Sequence, residues 1–463
     1  MKTSIILLTY NQLDVSKKCF ESLEKYTNKD QVEIIVVDNG STDGTREYLK
    51  SNPSFITILN DKNMGFAGGC NQGIEVATGD NLLFLNNDTI VTENWLDAML
   101  ALLYSNERIG MVGPVSNYVS GLQRIDVNYQ SDDEINEFAL QYCETVKGKS
   151  KQVLRLVGFC LLVKREVIEK LKGFDERFKF GSFEDDDICL RTVLEGYELH
   201  IALDSYVHHY GHVTFKGNSE INITQLYIEN RFRYIEKWGN HLIDTAYPKL
   251  EIIEMVPSNV KRVLEIGCSA GATGLEIKNR YTCELYGTEK NPELASIASQ
   301  FYEKVDIVSC DETNLSYPND FFDLIILDQT IEHIYDPWNY IIEISKLLKP
   351  SGNIICRVPN VSHGEVLYQL LNGSWNYLNA GILDKGHVRF FTPKTMNLLF
   401  PAHMFDIIYN KNENIDVNIN IKLFFEEVVH LAHKFGITLD ELTTNLEIYQ
   451  MLVLVKKKNK NGG

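Results

Sequence analysis

Apolar positions along this chain recur in two alternating rhythms. Ile5–Leu8 is an unbroken apolar run suited to a strand buried on both faces, and Val15, Cys19, Leu23 and Tyr26 then return at helical spacing. Ile34–Val37 predicts a second strand, Ile56–Leu59 a third and Leu82–Leu85 a fourth. The stretch NMGFAGGCNQG after the third strand reads as a loop leading to a short helix, and Glu93–Tyr104 as a longer one. Strands alternating with helices predict βαβ units and a parallel sheet that presents ligands at its carboxyl ends.

The rhythm breaks over about 117–150, which is polar and irregular and reads as a variable loop. Order returns with Leu154–Val163, the acidic FEDDDICLR, a strand near Leu199–Ala202 running to Val207-His208-His209, and a closing helix over Asn218–Lys237. Asp244–Pro257, with two prolines, reads as a connector. A second alternating set follows: strands at Val263–Ile266, Glu284–Gly287, Val305–Ser309, Leu324–Leu327 and Asn353–Val358. Asp406–Asn420 and Leu452–Val455 add strands around a helix at Leu423–Phe435, and Lys456–Lys460 reads as a solvated tail. The expected organisation is α/β throughout: a domain over 1–243, a linker over 244–257 and a domain over 258–463, with no internal repeat.

Length agrees, since 463 residues exceed one ordinary core. A net charge of −18 argues against a nucleic-acid partner, whose affinity comes largely from phosphate neutralisation. Nine cysteines without CxxC spacing suit free thiols in a reducing cytosol, so a cytoplasmic location is expected. The start MKTSIILLTYN is too soon interrupted by Asn11, Gln12 and Asp14 for a signal peptide, and no run approaches the ~20 apolar residues of a membrane span.

Three acidic positions carry candidate chemistry in the first half. Asp38, in VVDNGSTDGT, ends a buried strand, where it either receives a nucleobase or ribose or caps the turn that follows. Asp88, after LLFLNN, either holds a divalent cation against a diphosphate or serves a turn. Glu184-Asp185-Asp186-Asp187 start a helix and gain from its dipole, but repel one another unless paired or metal-bound. One of them suits a general base, and His208, His209 and His212 further on suit a metal shell.

In this order, Thr9-Tyr10-Asn11, VVDNGSTDGT, NMGFAGGCNQGI, LNNDTIV, GFDERF, FEDDDICLR and VHHYGHVTF resemble family-2 glycosyltransferases of the GT-A fold. The resemblance covers about 3–240 and is strongest to rhamnosyltransferase-like members that build bacterial surface glycans. It implies a nucleoside diphosphate sugar as donor, bound by Thr9, Asn11, Asp38 and Asn63, with Mn²⁺ or Mg²⁺ on Asp88. It also implies Asp185 as catalytic base, Glu184 as orienter of the acceptor, and His209 or, in the other register, His208 as metal ligand. The chain departs from the commonest pattern in carrying Asn86-Asn87-Asp88 in place of two or three acids, which leaves fewer charged ligands.

In the second half, Gly267-Cys268-Ser269-Ala270-Gly271 matches the GxSxG of a nucleophile elbow. Glu265 ahead of it and Glu289 about twenty residues on favour a nucleoside pocket instead, and a dinucleotide site would need glycine at Ser269. With YGTEKN, Asp311, FFDLIILDQTIEHIYDP and GILDKGHVRFFTP, this turn resembles the class I S-adenosylmethionine-dependent methyltransferases, a Rossmann-like fold, over about 258–400. The resemblance implies that Glu265, Gly267 and Gly271 hold the methionine part of the cofactor, Glu289 the ribose and Asp311 the adenine. His333 and His387 are candidate bases; the alternatives are that His333 packs its loop and that His387 with Arg389 is a structural clamp. Leu327-Asp328-Gln329-Thr330 stands where an enzyme acting on protein or nucleic acid carries an NPPY-like motif.

Together the two resemblances imply a bifunctional enzyme that transfers a sugar to a glycan, glycolipid or glycoprotein such as flagellin and O-methylates a sugar hydroxyl. Peripheral association with membrane-bound glycan assembly is expected on the same ground. The alternative is a glycosyltransferase whose methyltransferase-like domain modifies a separate substrate or only binds.

Overall fold

The computed structural model describes residues 1–211 and 222–459, so His212, residues 218–221 of the expected closing helix and Lys460 lie outside the described residues. Its contacts divide the chain into Met1–Tyr247 and Pro248–Gly463.

In the first unit the apolar runs become β1 (Thr3–Thr9), β2 (Val32–Asp38), β3 (Phe55–Leu59) and β4 (Asn81–Asn86), joined in parallel pairs. The remaining strands are β5 (Thr89–Val91), β6 (Ile109–Val115), β7 (Ser150–Val153), β8 (Cys160–Lys164) and β9 (Glu198–His209). The sheet runs β3-β2-β1-β4-β8-β6-β9-β5, with β7 also on β9. After β1 the chain moves outward through β2 and β3, then crosses back to place β4 on the other side. That reversal opens a crevice at the carboxyl ends of β1 and β4, where ligands of such sheets sit. Helix Leu13–Tyr26 closes one face by burying Cys19, Phe20 and Leu23 in the core formed with Ile5, Leu7, Val36 and Trp95.

Several expectations are corrected here. NMGFAGGCNQG is mostly helix, Gly65–Val76, not loop. Its glycines serve close approach: a Cβ on Gly69 would stand 2.7 Å from Leu8 of β1, and one on Gly73 2.5 Å from Ile6. The polar stretch 117–150 contains the helix Ile135–Thr145, which buries Ile135 and Ala139 and stacks Phe138 on Tyr142. Strand structure within Leu154–Val163 starts only at Cys160, and β7 precedes it as a separate strand.

The second unit has β10 (Arg262–Ile266), β11 (Glu284–Thr288), β12 (Lys304–Asp306), β13 (Phe322–Asp328), β14 (Leu348–Pro359), β15 (Phe405–Asn414) and β16 (Ile448–Lys457). Their order is β12-β11-β10-β13-β14-β16-β15, with β16 antiparallel to both its neighbours. Here too the chain reverses direction, between β10 and β13. Ile325, Leu327, Ile354, Cys356 and Val453 form the buried interior. Inside the stretch 244–257 a short helix, Leu250–Ile253, buries Ile252 and Ile253.

Three boundaries move in this unit. β12 is shorter than Val305–Ser309. Asp406–Asn420 divides into β15 and the start of a helix, Ile419–Lys434. Lys456 and Lys457, expected in a solvated tail, end β16. The Lys457 ammonium is buried and donates to Ser345 O at 2.7 Å and Asp320 Oδ1 at 3.2 Å.

Candidate functional site

Asp38 and Thr9 are partners at the carboxyl ends of β2 and β1, and both are buried. The Thr9 hydroxyl donates to Asp38 Oδ1 (3.1 Å), and the N–H groups of Gly40 and Ser41 donate to Oδ2 (3.2 and 3.0 Å). The carboxylate therefore braces its own turn. Asn11, in the left-handed region at φ 54°, donates its N–H to Ser41 Oγ (2.7 Å) and accepts from Thr42 N–H (2.8 Å). Asn63 accepts Gly65 N–H at 2.8 Å. Asn39, which sequence reasoning passed over, is buried and links Gly65 O (3.2 Å) to Asn60 (3.1 Å).

Asp88 is buried between β4 and β5. The β5–β9 register sets Thr89 opposite His209 and Ile90 opposite His208, so the two histidines point to opposite faces. His209 Nε2 stands 3.3 Å from Asp88 Oδ1, its Nδ1 lies 2.8 Å from Tyr118 O, and its ring stacks on Phe159. A carbonyl at Nδ1 selects the tautomer that leaves a lone pair on Nε2, as imidazole ligands of metals require. His208 is not brought to Asp88: its Nδ1 meets the Tyr129 hydroxyl, and burial holds it neutral by lowering its pKa to about 4. No group of three or more His, Cys, Asp or Glu side chains among the described residues is arranged to hold a metal by itself.

The four acids start the helix Glu184–Leu194, and the structure separates their roles. Asp187, fully buried, accepts from Arg191 (2.8 Å), Lys237 (2.5 Å) and Trp238 Nε1 (2.8 Å). Asp186 pairs with Arg155. Asp185 Oδ2 accepts Gly158 N–H at 3.0 Å and lies 3.5 Å from Arg155 Nη2. Glu184 Oε2 is buried without a partner, and burial beside the Asp185 charge pushes its pKa well up. Burial thus favours the protonated form of Glu184, the form that can donate a hydrogen bond.

The segment ahead of this helix is strained. Phe180, Ser182 and Phe183 have φ of 62°, 73° and 71° on either side of Gly181, at a cost of about 1–3 kcal/mol for each non-glycine residue. Asn230, buried on the helix Ile223–Trp238, holds it by donating to Gly181 O (2.7 Å), Lys179 O (3.1 Å) and Ser182 O (3.2 Å). Arg155 and Asn230 were both missed. The only sequence signal for the first is a lone cation inside the apolar run VLRLVGF.

In the second unit Gly267 (φ 73°), Ser269 (φ 53°) and Gly271 (φ 84°) carry the turn after β10. Glu289, just past β11, accepts Ser269 N–H (3.0 Å) and Asn291 N–H (2.8 Å) on its two oxygens. Glu265 faces inward, receives the Tyr302 hydroxyl, and is raised to about 8 by burial. Tyr302 occupies a trench lined by Gly271, Gly274 and Gly287, so Glu265 and Gly271 meet protein here. Asp311 is exposed in the loop after β12.

His333 and His387 are brought together, with ring centroids 4.9 Å apart. Each sets Nδ1 2.9 Å from a carbonyl, Gly386 O and Ile382 O respectively, which leaves Nε2 as the basic nitrogen. Burial, with His333 adding to it, lowers the His387 pKa. Glu332, between the β13 end and His333, was missed. It is fully buried, neither carboxyl oxygen has a partner, and burial raises its pKa to about 8.

Residues 4–172 match the family model of Glycosyl transferase family 2, and residues 227–410 that of a Methyltransferase domain. The chain is therefore a fusion of two enzyme domains, a family 2 glycosyltransferase on a GT-A sheet followed by a methyltransferase on a Rossmann-like one. Glycosyltransferase AglE of Haloferax volcanii is 26% identical over 213 residues, which cover 43% of this chain and 64% of AglE. The chain spans between 23% and 67% of the length of the first curated relatives it matches. Among solved structures, the mannosyltransferase PcManGT from Pyrobaculum calidifontis in complex with GDP-Man and Mn2+ is 17% identical with a TM-score of 0.35, over 53% of this chain and 72% of that one. A SAM dependent methyltransferase from Archaeoglobus fulgidus is 20% identical with a TM-score of 0.33, over 49% and 99%.

Two outcomes follow from the buried polar groups. Asn230→Ala leaves three carbonyls without their donor and is expected to cost about 2–3 kcal/mol, read as a lower urea midpoint for the N-terminal unit at unchanged slope. Glu332 stays protonated in the native state to about pH 8 but ionises near 4.5 when unfolded. Its contribution to stability is complete below 4.5 and falls as pH rises toward 8, by at most about 1.4 kcal/mol per pH unit. Glu332→Gln should flatten that decline in urea titrations between pH 5 and 8.

Proposed function

We propose that this chain transfers a sugar from a nucleoside diphosphate donor in its first unit and methylates a sugar hydroxyl in its second. For sugar transfer the supporting observation is Asp88 facing His209 at 3.3 Å at the strand ends of a family 2 domain. The carboxylate oxygen suits Mn²⁺ or Mg²⁺, and the imidazole nitrogen favours Mn²⁺ of the two, with the remaining coordination left to the diphosphate and water. When bound, such an ion neutralises charge on the leaving diphosphate.

Asp185 takes the proton from an acceptor hydroxyl as its oxygen attacks the anomeric carbon, and the bond from that carbon to the diphosphate breaks. The configuration inverts. Gly158 N–H and Arg155 fix the carboxylate's orientation for this task. Glu184, whose burial favours the protonated form, orients the acceptor through a hydrogen bond. Thr9, Asn11, Asp38 and Asn63 shape the nucleoside end through the turns they brace.

In the second unit the Gly267–Gly271 turn and Glu289 suit S-adenosylmethionine, which supplies a methyl group on a sulfonium. Glu289 keeps lone pairs for ribose hydroxyls beyond the two N–H groups it accepts, and Asp311 stands for the adenine. His333 or His387 accepts the proton of the attacking hydroxyl at Nε2. Glycans, glycolipids and glycoproteins of bacterial surfaces are the acceptor class. One covalent chain would raise the effective concentration of the first product at the second site. No described helix is long and apolar enough to cross a membrane.

The test is a thermal-shift panel of nucleoside diphosphate sugars with and without Mn²⁺, alongside S-adenosylhomocysteine. Asp88→Ala should abolish the Mn²⁺-dependent part of the sugar-nucleotide shift; an unchanged shift sinks the metal assignment. Asp185→Asn should keep that shift while transfer falls about 10²–10⁴-fold, and retained turnover refutes the base. Failure of S-adenosylhomocysteine to stabilise the chain removes the methyl-transfer reading.

A further inference from the structure

The second unit has four arginines, and three of them meet carboxylates: Arg262 with Glu284, Arg280 with Glu276 and Arg357 with Asp328. Arg389 does not. Among the described residues its only hydrogen-bond acceptor is the neighbouring Val388 O at 3.2 Å, and its Nε is buried without a partner. In a chain with a net charge of −18, a cation left without an acid is out of keeping with its surroundings.

What Arg389 does touch is aromatic. Its guanidinium carbon lies 4.8 Å from the Tyr335 ring centroid and 6.0 Å from that of Trp338, and these rings are 77% and 47% exposed. Rings so open gain little from burial, so packing does not account for them. The group is also well anchored. Val388 and Arg389 donate their N–H groups to Glu332 O (2.8 and 3.0 Å), and His333 Nδ1 reaches back to Gly386 O. A rigid cation between two exposed rings is thus fixed to the same turn and loop that carry His333 and His387.

We propose that Tyr335, Trp338 and Arg389 form the acceptor subsite of the methyltransferase unit and take a pyranose bearing an anionic group, a carboxylate or a phosphate. The polarised C–H face of a sugar ring meets the negative face of an aromatic ring. The guanidinium fork matches the paired oxygens of a carboxylate or phosphate, and Arg389 has donors free for that match. This rests on the reading of the second unit as a sugar methyltransferase and adds the charge class of its acceptor.

The test uses the full chain with saturating S-adenosylhomocysteine, titrated with methyl glucuronide, glucose 6-phosphate, methyl glucoside and inorganic phosphate by saturation-transfer NMR. Methyl glucuronide or glucose 6-phosphate should bind at least about fivefold more tightly than methyl glucoside, and whichever binds better identifies the anion. Arg389→Gln should bring anionic and neutral sugars within about twofold of each other. Tyr335→Ala with Trp338→Ala should weaken every sugar about tenfold, with the S-adenosylhomocysteine thermal shift unchanged in both variants. Equal binding of charged and neutral sugars overturns the inference, as does an anionic preference that survives Arg389→Gln. Inorganic phosphate competing as well as glucose 6-phosphate overturns the sugar part. A normal S-adenosylhomocysteine shift with no sugar bound refutes this subsite and leaves the methyltransferase reading standing; absence of that shift refutes the reading itself.

Discussion

A buried carboxylate that accepts two backbone N–H groups organises the ligand-facing end of each sheet. Asp38 does this for Gly40 and Ser41 in the first unit, and Glu289 for Ser269 and Asn291 in the second. Both acids stand at the end of the strand that pairs with the first strand of their sheet. Turns at the ends of parallel strands leave N–H groups without strand partners, and an acid there satisfies them with charge-assisted bonds. These bonds brace the turns at the carboxyl ends of β2 and β11, beside the point where each sheet reverses its strand order. Asp185 repeats the arrangement at one remove, accepting the Gly158 N–H.

The second constraint is charge. Four consecutive acids at a helix start gain roughly 0.3–1 kcal/mol each from the dipole, too little to offset burying them side by side. The fold resolves this by treating each differently: Asp187 is tied to Arg191 and Lys237, Asp186 to Arg155, and burial favours the protonated form of Glu184. Asp185 alone is left between two backbone amides, those of Gly158 and Asp186, and the edge of a guanidinium. The remote partners of the other acids are what distinguish it.

Strand positions in both units were legible because a strand buried on both faces is an unbroken apolar run, as in Ile5–Leu8 and Leu324–Leu327. The helix at Gly65–Val76 was not, because its glycines look like loop composition until Leu8 and Ile6 are set against them. Ile135–Thr145 hid behind its charged neighbours, with only Ile135 and Ala139 buried. At the sites, acids at strand ends could be read from local context. The separation of His209 from His208 depends on the β5–β9 register, and Asn230 acts on a segment 48 to 51 residues away; neither fact is local. Arg389 was visible as a residue but not as an unpaired one, since pairing is settled only when the carboxylates find their places.

The placement of β16 bears on how the protein is made. It lies between β14 and β15, so β15 has no sheet partner until β16 has been synthesised. Among the described residues, the first unit draws its strands from the first 209 residues, so those strands can pair before the second unit is made. The second must hold the apolar side chains of β10, β13 and β14 in a partial sheet until the last strand arrives. Translation thus imposes an order, with the described strands of the first unit available before the ten-residue β16 that the second unit needs.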